Sequence, residues 1–581
     1  MQTLNPRRLG RINKRLDSHF HGQVKAVLEE DCLVLTGELD RWEDAVKAGQ
    51  LAVKGLGFRG FVNKVRTGSP VPPMVLPERQ DRDLEGRRPD VLIIGGGVIG
   101  CAAARELSRY SLDILLVEKE HDLAMHASGR NDGMIHPGID LFRGTRKYLY
   151  NKRGNPMYDK LARELGVPFK RTGQYLCFSG PLMFPFLSLT RLYWKFQGIP
   201  GVKVIGKKEL RRREPGLKAD ITQALFFPSA GVICPFDLTI ALGENAVENG
   251  AEISLETAVT EMETQGGRII RVKTNRGALY PRAVINAAGV FADEVAAMAG
   301  DQFYSIHPRR GTNIILDKKA GSLLPKGIAS RIVLVGRGKP ASLKKPSHTK
   351  GGGVVRTVFG NTLVGPDAVE TPEREDFATR RESINASFAK FQQTVPALSP
   401  AQIITYFTGI RAAAYEEDFI LCRGRRCSNL VHAGGIQSPG LTAAPAIALE
   451  TARLVREILL AQGRNVEIKA DFNPVRKPIP RTADLGDQER QRLIEGNPDY
   501  GLILCRCEEV SRGEILEALR RPVPCDTLDG VKRRVRPGSG RCQGAFCGPL
   551  ILELIAKEKG LPLEGVTKSG PGSAILRGAL G

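Results

Sequence analysis

The sequence predicts an α/β protein built around a Rossmann-like dinucleotide-binding domain, with a smaller unit on each side. Three observations predict this class. The chain has 581 residues, enough for several domains of roughly 100–200 residues each. A glycine-rich turn joins an apolar strand to a helix at residues 91–110, and four cysteines lie in two close pairs near the C-terminus. The composition, 42% hydrophobic and 25% charged, excludes collagen-like, low-complexity and coiled-coil proteins.

Residues 1–68 predict a small α/β module with the order α-β-β-α-β. Two alternating runs flank a polar turn at residues 29–31, and apolar residues then recur at helical spacing in WEDAVKAGQLAVKGL. Gly37 ends a strand and the run VNKV at residues 62–65 closes the module. This pattern resembles a BON domain, a family associated with membrane surfaces or partner docking. A plain accessory domain is the alternative.

The remaining boundaries follow from composition. Residues 69–88 are proline-rich and then charge-rich, which is typical of a linker, and residues 466–500 predict a second linker with a proline-rich stretch. Strands and helices alternate through residues 89–465. Residues 501–560 predict a compact C-terminal domain, and residues 561–581 a tail.

The segment VLIIGGGVIGCAAARELSRYSLDILLVEKE at residues 91–120 predicts a dinucleotide site. Gly95 permits the tight turn, Gly97 lets the backbone approach a pyrophosphate, and Gly100 lets the helix pack on the strand. The helix N-terminus offers free N–H groups to the phosphates. Glu118 ends the second strand, where its carboxylate accepts hydrogen bonds from ribose hydroxyls, and Lys119 follows it. Strand, helix, second strand and acid in this order are a specific signal.

The residues after this unit favour FAD over NAD. A Ser/Gly/Asn-rich stretch follows the second strand, where an NAD enzyme usually continues with a plain βα unit. Two later segments, AVINAAGVFADEVA and LVHAGGIQSPGLTAAPAIALETA, each place a small-residue turn between a strand and a helix. They predict contacts to the two ends of a flavin. The further candidate FAD-binding residues are Ser128, Asn131, Gly133, Ala288, Gly289, Gly435, Gly440, Leu441 and Thr442.

These motifs resemble the FAD-dependent D-amino-acid oxidase superfamily. The resemblance rests on GGGVIG, the stretch at residues 128–136, NAAG at 286–289, GNTLVGP at 360–366 and GIQSPGL at 435–441, and it covers residues 89–465. Within the superfamily the chain is similar to anaerobic-type glycerol-3-phosphate dehydrogenases and to L-2-hydroxyglutarate oxidases. The resemblance implies a Rossmann-like FAD-binding domain interleaved with an α+β substrate domain of antiparallel strands over the flavin.

Arginines are the candidate substrate ligands. Arg411, in YFTGIRAAAY, occupies the Gly-x-Arg position that binds a carboxylate or phosphate in relatives. Arg310 lies where a strand enters the predicted substrate domain, and Arg130 lies beside the flavin loop. A structural ion pair is the alternative role for each of the three.

His136, in MIHPGI, matches the histidine of the relatives' pattern N-S-G-x-x-H-x-G. An imidazole has a resting pKa suited to a general base that takes a hydroxyl proton. A hydrogen bond to flavin or backbone is its alternative role. The relatives' serine is Asp132 in this chain. A carboxylate there opposes an anionic substrate unless it faces solvent or pairs with Arg130.

The net charge of +22 predicts anionic partners. Residues 309–356 contain 12 Lys and Arg residues and one acid, Asp317. This basic segment is either a solvated face, or a funnel for anions or a docking patch for an acidic redox partner. No nucleic-acid-binding module is recognisable, so we expect no nucleic-acid role.

Four cysteines predict an iron–sulfur site. Cys505 and Cys507 form C-x-C, and Cys542 and Cys547 form C-x4-C after 34 intervening residues. Four thiolates in two pairs suit a [2Fe–2S] cluster with two sulfur ligands on each iron. The run RCQGAFC and the residues EEV after the first pair resemble the bacterioferritin-associated-ferredoxin type of [2Fe–2S] domain, which implies a small helical fold. Zinc and disulfides are the alternatives.

Together these features predict a dehydrogenase, because FAD accepts two electrons and a [2Fe–2S] cluster carries one at a time. The resemblance implies a small anionic alcohol as substrate, with sn-glycerol 3-phosphate first. The alternatives are a 2-hydroxyglutarate or amino/imino-acid dehydrogenase, and a non-catalytic electron-transfer subunit. We expect a redox partner subunit or a quinone as acceptor. The N-terminus lacks an apolar signal core, which predicts a cytoplasmic protein, with peripheral association at the inner face of the membrane as a further expectation.

Overall fold

The computed structural model describes residues 6–29, 32–54, 60–68, 70–179, 183–324, 326–331 and 352–576. Residues 325 and 332–351 of the basic segment predicted at residues 309–356 therefore lie outside the described residues. Within the described residues the chain forms an N-terminal unit, two interleaved units with large sheets, and a C-terminal unit. No helix among the described residues is long and apolar enough to cross a bilayer.

The N-terminal unit has the predicted order α-β-β-α-β. Its elements are α1 (Pro6–Phe20), β1 (Val24–Glu29), β2 (Cys32–Leu39), α2 (Trp42–Val53), β3 (Gly60–Asn63) and the short β4 (Arg66–Thr67). Strands β1 and β2 pair antiparallel, and β2 pairs parallel with β3 and β4. Both helices contribute apolar residues to a shared core. The order agrees with the sequence, and the resemblance to a BON domain stays a prediction.

The first large unit, here the parallel-sheet unit, has the doubly wound form expected for a dinucleotide site. Its sheet has the order β13-β6-β5-β17-β25-β24, parallel except for the β24–β25 pair. The strands are β5 (Val91–Ile94), β6 (Ile114–Val117), β13 (Glu252–Ser254), β17 (Ala283–Asn286), β24 (Ile420–Arg423) and β25 (Leu430–Gly434). Its central strands are apolar and buried because helices cover one face, and a small sheet and a helix cover the other.

Helices and small sheets surround this sheet. The helices are α3 (Val98–Leu107), α4 (Arg146–Gly154), α5 (Tyr158–Leu165), α8 (Pro235–Glu248), α9 (Ala292–Met298) and α11 (Gly440–Ala461). One small sheet contains β7 (Met134–Ile135), β8 (Phe169–Lys170) and β12 (Gly231–Ile233), and another contains β14 (Val259–Gln265), β15 (Arg268–Thr274) and β16 (Gly277–Leu279). Helix α3 packs against α8 and α11, which closes the core behind the glycine-rich turn.

The second large unit, here the mixed-sheet unit, is inserted between segments of the first. Its sheet has the order β10-β11-β9-β19-β20-β21-β18-β22, with β23 also on β18, and it is antiparallel except for the β9–β19 pair. The strands are β9 (Gln174–Ser179), β10 (Lys203–Ile205), β11 (Ile221–Phe227), β18 (Ile306–Leu316), β19 (Ile328–Arg331), β20 (Gly353–Arg356), β21 (Thr362–Gly365), β22 (Val369–Glu370) and β23 (Ile403–Ala414). Its helices are α6 (Met183–Phe196), α7 (Lys207–Arg213) and α10 (Arg381–Gln392).

The C-terminal unit is made of short helices around a two-stranded ladder. Its elements are α12 (Asp487–Gly496), β26 (Ile503–Cys505), β27 (Val510–Ser511), α13 (Arg512–Leu519), α14 (Leu528–Val535) and α15 (Gly548–Lys559). Helix α13 begins with the capping box that the sequence predicts, in which the Ser511 side chain accepts from the Glu514 backbone N–H and the Glu514 carboxylate accepts from the Ser511 backbone N–H. The apolar sides of the helices and three buried cysteines form one core.

Both segments predicted as linkers pack against the units beside them. In residues 69–88, which have no helix or strand where described, Leu84 is buried and Arg276 binds Asp81 and Asp83. In residues 466–500, Arg476 and Ile479 are buried. These contacts fix the course of the chain between units, while the domain boundaries themselves stay predictions.

The N-terminal unit docks on the end of the β18–β23 pair. Tyr415, just after β23, packs in the core of the N-terminal unit, and its hydroxyl accepts a hydrogen bond from Asn63 at 2.8 Å. The Ser305 hydroxyl accepts from the Asn63 backbone at 3.0 Å. Gly49 of α2 lies so close to Tyr415 that a Cβ there would sit 2.2 Å from the ring.

This contact gives a test of the docking. We expect Gly49→Ala to destabilise the protein by about 1–3 kcal/mol, because the added methyl group overpacks the Tyr415 ring. Gly10→Ala is the matched control in α1, where a Cβ meets nothing within 4 Å. We expect it to stabilise by about 0.5–1 kcal/mol. Thermal unfolding measures both, and equal effects at the two positions would contradict the docking.

Candidate functional site

The glycine-rich turn brings three backbone segments into contact. A Cβ on Gly95 would lie 2.5 Å from the Ala287 carbonyl oxygen, and one on Gly100 would lie 1.9 Å from the Gly95 carbonyl oxygen. The turns after β5 and β17 therefore meet at a distance that only glycine allows. Ala288 and Gly289, two of the candidate FAD-binding residues, come directly after Ala287 at this contact.

Two side chains line the turn where a dinucleotide would bind. Glu118 directly follows β6, and its carboxylate accepts from the backbone N–H groups of Gly96 at 2.5 Å and Glu120 at 2.9 Å. Burial raises the pKa of Glu118. The Ser128 hydroxyl accepts from the Val98 N–H at 2.9 Å, at the N-terminus of α3. A hydroxyl acceptor at a helix N-terminus marks the place where a phosphate would bind. The Glu118 carboxylate suits the ribose hydroxyls of FAD, and the N-terminus of α3 suits its pyrophosphate.

Other candidate residues have partners within the protein. The Lys119 ammonium binds Glu120 at 2.6 Å and Glu375 at 2.5 Å. Asn131 organises its own loop, because its amide group donates to the Ser128 carbonyl and its oxygen accepts from the Gly133 N–H. We therefore expect these two side chains to shape the binding loops.

His136 lies beside the other predicted flavin segment. Its backbone N–H donates to the Thr442 hydroxyl at 2.8 Å, and its Nε2 is 3.2 Å from the Ser438 hydroxyl. The loop that follows β25 turns at Gly435, which has a φ of +63°, and helix α11 begins at Gly440. Leu441 lies in the first turn, and its carbonyl accepts from the Tyr158 hydroxyl. The structure thus brings His136 to the second of the two segments that the sequence predicts to contact the flavin.

Two arginines lie directly opposite each other on the β18–β23 pair but differ in their partners. Arg309 binds Glu370 and Glu417, both at 2.8 Å. Arg411 donates to the Asp367 carbonyl at 2.8 Å and contacts the Arg310 carbonyl at 3.5 Å, and no carboxylate of the described residues lies within salt-bridge distance of it. Burial lowers the pKa of Arg411. A largely buried guanidinium without a carboxylate partner attracts an anionic ligand.

Glycine makes room for the Arg411 guanidinium. A Cβ on Gly311, across the ladder, would lie 2.3 Å from it. Gly409, on the same strand, allows the Arg130 carbonyl to approach, where a Cβ would be 2.4 Å away. This packing brings β23 against the loop at residues 128–136. Asp132 lies within electrostatic range of Arg411 and accepts from the Met134 N–H at 3.2 Å.

The other two candidate arginines are engaged elsewhere. Arg310 forms a 2.8 Å ion pair with Asp376. Arg130 donates to the Met125 carbonyl at 2.8 Å and stacks on Phe377, with its guanidinium carbon 4.1 Å from the ring centroid. Arg310 therefore has the structural ion pair that was its alternative role, and Arg130 has a structural contact of another kind. For Arg411 the role of substrate ligand stays a prediction.

A polar network that the sequence did not reveal lies behind these residues. Glu417 accepts from Arg309 and from the Gln437 amide at 2.6 Å, and Gln437 lies in the loop before α11. Glu370 binds both Arg309 and His307. These links hold Arg309 and the β18–β23 pair against the loop before α11. The signal in the sequence was the run of three acidic residues at 416–418, which a single sequence does not connect to partners 20–108 residues away.

The four predicted cysteines lie together in the C-terminal unit. Cys507 Sγ is 3.5 Å from Cys542 Sγ, and Cys505 is hydrogen-bonded to Cys547. Within the described part of the chain, no three of these sulfur atoms lie within 4.8 Å of one another. A tetrahedral zinc site requires all six S–S distances near about 3.8 Å. Two separate sulfur pairs fit a [2Fe–2S] cluster better than a single zinc ion.

Backbone N–H groups point at these sulfur atoms. The hydrogen bond with Cys547 lowers the pKa of Cys505, and the backbone N–H of Gly538 contributes. The backbone N–H of Gly544 helps to lower the pKa of Cys542. Such N–H groups stabilise thiolates, the form that binds iron. Cys525, in contrast, is buried and its thiol contacts the Ala518 carbonyl, away from the other four.

An ionic clasp joins the C-terminal unit to the dinucleotide loop. Asp122, only four residues after Glu118, accepts hydrogen bonds from Arg533 at 2.7 Å and from Arg534 at 2.9 and 3.0 Å. These arginines belong to α14. Asp122 is 1% exposed, and the two guanidinium groups hold its pKa well below its ordinary value. The sulfur-bearing unit is thereby fixed against the loop between Glu118 and Ser128.

The clasp gives a stability prediction. We expect Asp122→Asn to cost about 3 kcal/mol or more, because it leaves two buried arginines without their carboxylate. Because the folded-state pKa is depressed, the wild-type contribution is present above about pH 4 and is lost as the pH falls below that value. Thermal unfolding as a function of pH measures this. Asp529→Asn is the control. Asp529 lies on α14, like Arg533 and Arg534, but it pairs with the exposed Lys568, so its loss should cost about 1 kcal/mol or less.

The cysteine pairs give a metal prediction. We expect Cys507→Ser to lower the iron content from about two atoms per chain, since a serine hydroxyl is a poorer iron ligand than a thiolate. Cys525→Ala is the control and should keep its iron. Iron and acid-labile sulfide analysis of anaerobically purified protein measures both. One zinc per chain without iron would contradict the assignment.

Comparison with known proteins identifies the two cofactor-binding domains. Residues 90–454 match the family model "FAD dependent oxidoreductase", and residues 503–557 match "BFD-like [2Fe-2S] binding domain". A glycerol 3-phosphate dehydrogenase from Caloramator mitchellensis is 38% identical over 84% of this chain and 98% of its own length. One of the subunits of the anaerobic glycerol-3-phosphate dehydrogenase from Escherichia coli K12 is 26% identical over 79% of this chain and 86% of its own length.

A solved structure shows the same fold. The FAD-bound, dithionite-reduced L-α-glycerophosphate oxidase from Mycoplasma pneumoniae superposes with a TM-score of 0.60 at 28% identity, over 67% of this chain and 98% of its own. The mixed α/β fold predicted from the sequence is confirmed, and so are the two cofactors, FAD and a [2Fe–2S] cluster. The chain belongs to the FAD dependent oxidoreductase family.

Proposed function

We propose that this enzyme is a dehydrogenase that oxidises sn-glycerol 3-phosphate to dihydroxyacetone phosphate. The observation that carries the proposal is Arg411, a largely buried guanidinium on β23 that has only carbonyl partners among the described residues. The similarity to glycerol 3-phosphate dehydrogenases and to a glycerophosphate oxidase supports this substrate. A phosphate dianion supplies the anionic partner that Arg411 does not have among the described residues.

The neighbouring residues then have distinct roles. Arg411 binds the phosphate and orients the alcohol carbon toward the loop at residues 435–441. His136, held by Thr442 through its backbone and by Ser438 through Nε2, takes the hydroxyl proton. Arg309 stays paired with Glu370 and Glu417, so that it supports the ladder without competing for the substrate.

The cofactors divide the electron chemistry. When bound, FAD accepts the hydride from the substrate carbon and the [2Fe–2S] cluster passes the electrons on one at a time. For FAD, we propose that Glu118 binds the ribose, that Gly95, Gly97, Gly100 and Ser128 surround the pyrophosphate, and that the residues from Gly435 to Thr442 lie at the flavin ring. Cys505, Cys507, Cys542 and Cys547 would hold the cluster.

A second protein chain is the proposed electron acceptor. The Escherichia coli relative is named as one subunit of its enzyme, so that protein works with other subunits. In this chain Cys507 is exposed and Cys542 partly exposed, whereas Cys505 and Cys547 are buried. A partner reaches the cluster from the Cys507 side, and a quinone is the alternative acceptor.

The substrate assignment has a direct test. We expect anaerobic glycerol 3-phosphate to bleach the flavin absorption band of the holoprotein in stopped-flow measurements. Arg411→Met should raise the KM at least tenfold, as expected for the loss of a hydrogen-bonded charge, with a smaller effect on kcat. His136→Asn should lower kcat and remove an inflection from its pH profile.

Controls separate the alternatives. Arg381→Met replaces an arginine on the exposed start of α10 and should leave both constants unchanged. Bleaching by 2-hydroxyglutarate or an amino acid, but not by glycerol 3-phosphate, would move the assignment to that substrate. For an amino acid, Asp132 is a candidate ammonium ligand. The absence of bleaching by any of them would favour a non-catalytic electron-transfer role.

A further inference from the structure

Helix α6 (Met183–Phe196) presents an apolar stripe to solvent. Leu189, Leu192, Tyr193 and Phe196 are 71%, 58%, 50% and 72% exposed. Their spacing of i, i+3, i+4 and i+7 places them on one face of the helix. Scattered exposed hydrophobic residues are ordinary, but four large ones in one stripe mark an interaction surface.

The opposite face of α6 already has its packing partners. Leu187 is fully buried, and the Trp194 ring packs edge-on against Phe227 with the centroids 5.8 Å apart. These residues join the core formed with β9, β11 and the turn after α6. The helix is therefore anchored by one face, and the stripe on its other face is not needed for the fold.

The charge around the stripe is of one sign. Residues 166–208 contain seven Lys and Arg residues and no Asp or Glu. Arg191 and Lys195 lie on α6 itself, both exposed, and neither forms an ion pair with a described residue. Long cationic side chains beside an apolar stripe can reach phosphate groups while their methylene stems cover apolar surface.

We propose that the exposed face of α6 binds the surface of a bilayer that contains anionic lipids. An amphipathic helix with aromatic and leucine residues on one face and cations beside it lies in the interface, with its apolar face in the acyl boundary. A protein partner fits less well, since a stable interface buries roughly 800 Å² on each partner, and four side chains of one helix present much less. The proposal is independent of the substrate assigned above.

Vesicle co-sedimentation of the full-length holoprotein tests the proposal. We expect binding to vesicles of phosphatidylcholine with phosphatidylglycerol, weak binding to phosphatidylcholine alone, and a decrease as salt is raised. Leu192→Ser combined with Phe196→Ser should weaken binding about tenfold or more, because two apolar side chains leave the interface. Arg191→Glu combined with Lys195→Glu should remove the preference for anionic vesicles.

The design keeps the stripe separate from folding and from catalysis. All four substituted side chains are exposed, so we expect thermal unfolding and flavin reduction in solution to be unchanged. Leu460→Ser is the matched control, because Leu460 is 55% exposed near the end of α11, and it should bind vesicles like the wild type. Equal binding of the Leu192/Phe196 variant, or no binding of the wild type to anionic vesicles, would overturn the proposal. So would a dimer in solution that only this variant abolishes, because the stripe would then bind a second copy of the chain.

Discussion

The pairing of β18 with β23 is the constraint on which the rest of the structure depends. The eleven residues of β18 span about 36 Å, and the pair meets a different unit at each end. At one end Asn63 and Tyr415 attach the N-terminal unit. At the other end Asp317 binds Arg541 of the C-terminal unit. Arg411 lies between them, so that its position relative to the parallel-sheet unit is set by a ladder held at both ends.

Buried carboxylates that each bind two cations connect the units. Asp122 binds Arg533 and Arg534, and Glu244 of α8 binds Arg476 and Arg521. Because desolvation offsets much of the Coulomb attraction, we infer that such pairs add more to the specificity of docking than to net stability. Both of these contacts between units use arginine, whose planar group donates to a carboxylate from two nitrogen atoms. Part of the chain's excess positive charge therefore lies inside the molecule.

The sequence predicted what depends on neighbouring residues and missed what depends on distant ones. The turn at Gly95 and the capping box at Ser511 are local, and the structure contains both. The sequence did not show that Arg310 is paired, because its carboxylate partner lies 66 residues further along the chain. Arg309 was not a candidate, and its two carboxylate partners lie 61 and 108 residues away. Nothing in the sequence singles out Asp122, since its partners lie more than 400 residues away.

Two kinds of buried carboxyl group respond to pH in opposite ways. The cations around Asp122 and Glu244 lower the pKa of each carboxyl, so their contributions to stability are present above about pH 4. Glu214 is fully buried and forms no ion pair with a described residue. Burial raises its pKa to about 7, so its contribution is present in acid and is lost as the pH rises through 7. At neutral pH the carboxylates of Asp122 and Glu244 are therefore ionised and paired with arginine, while Glu214 is only partly ionised.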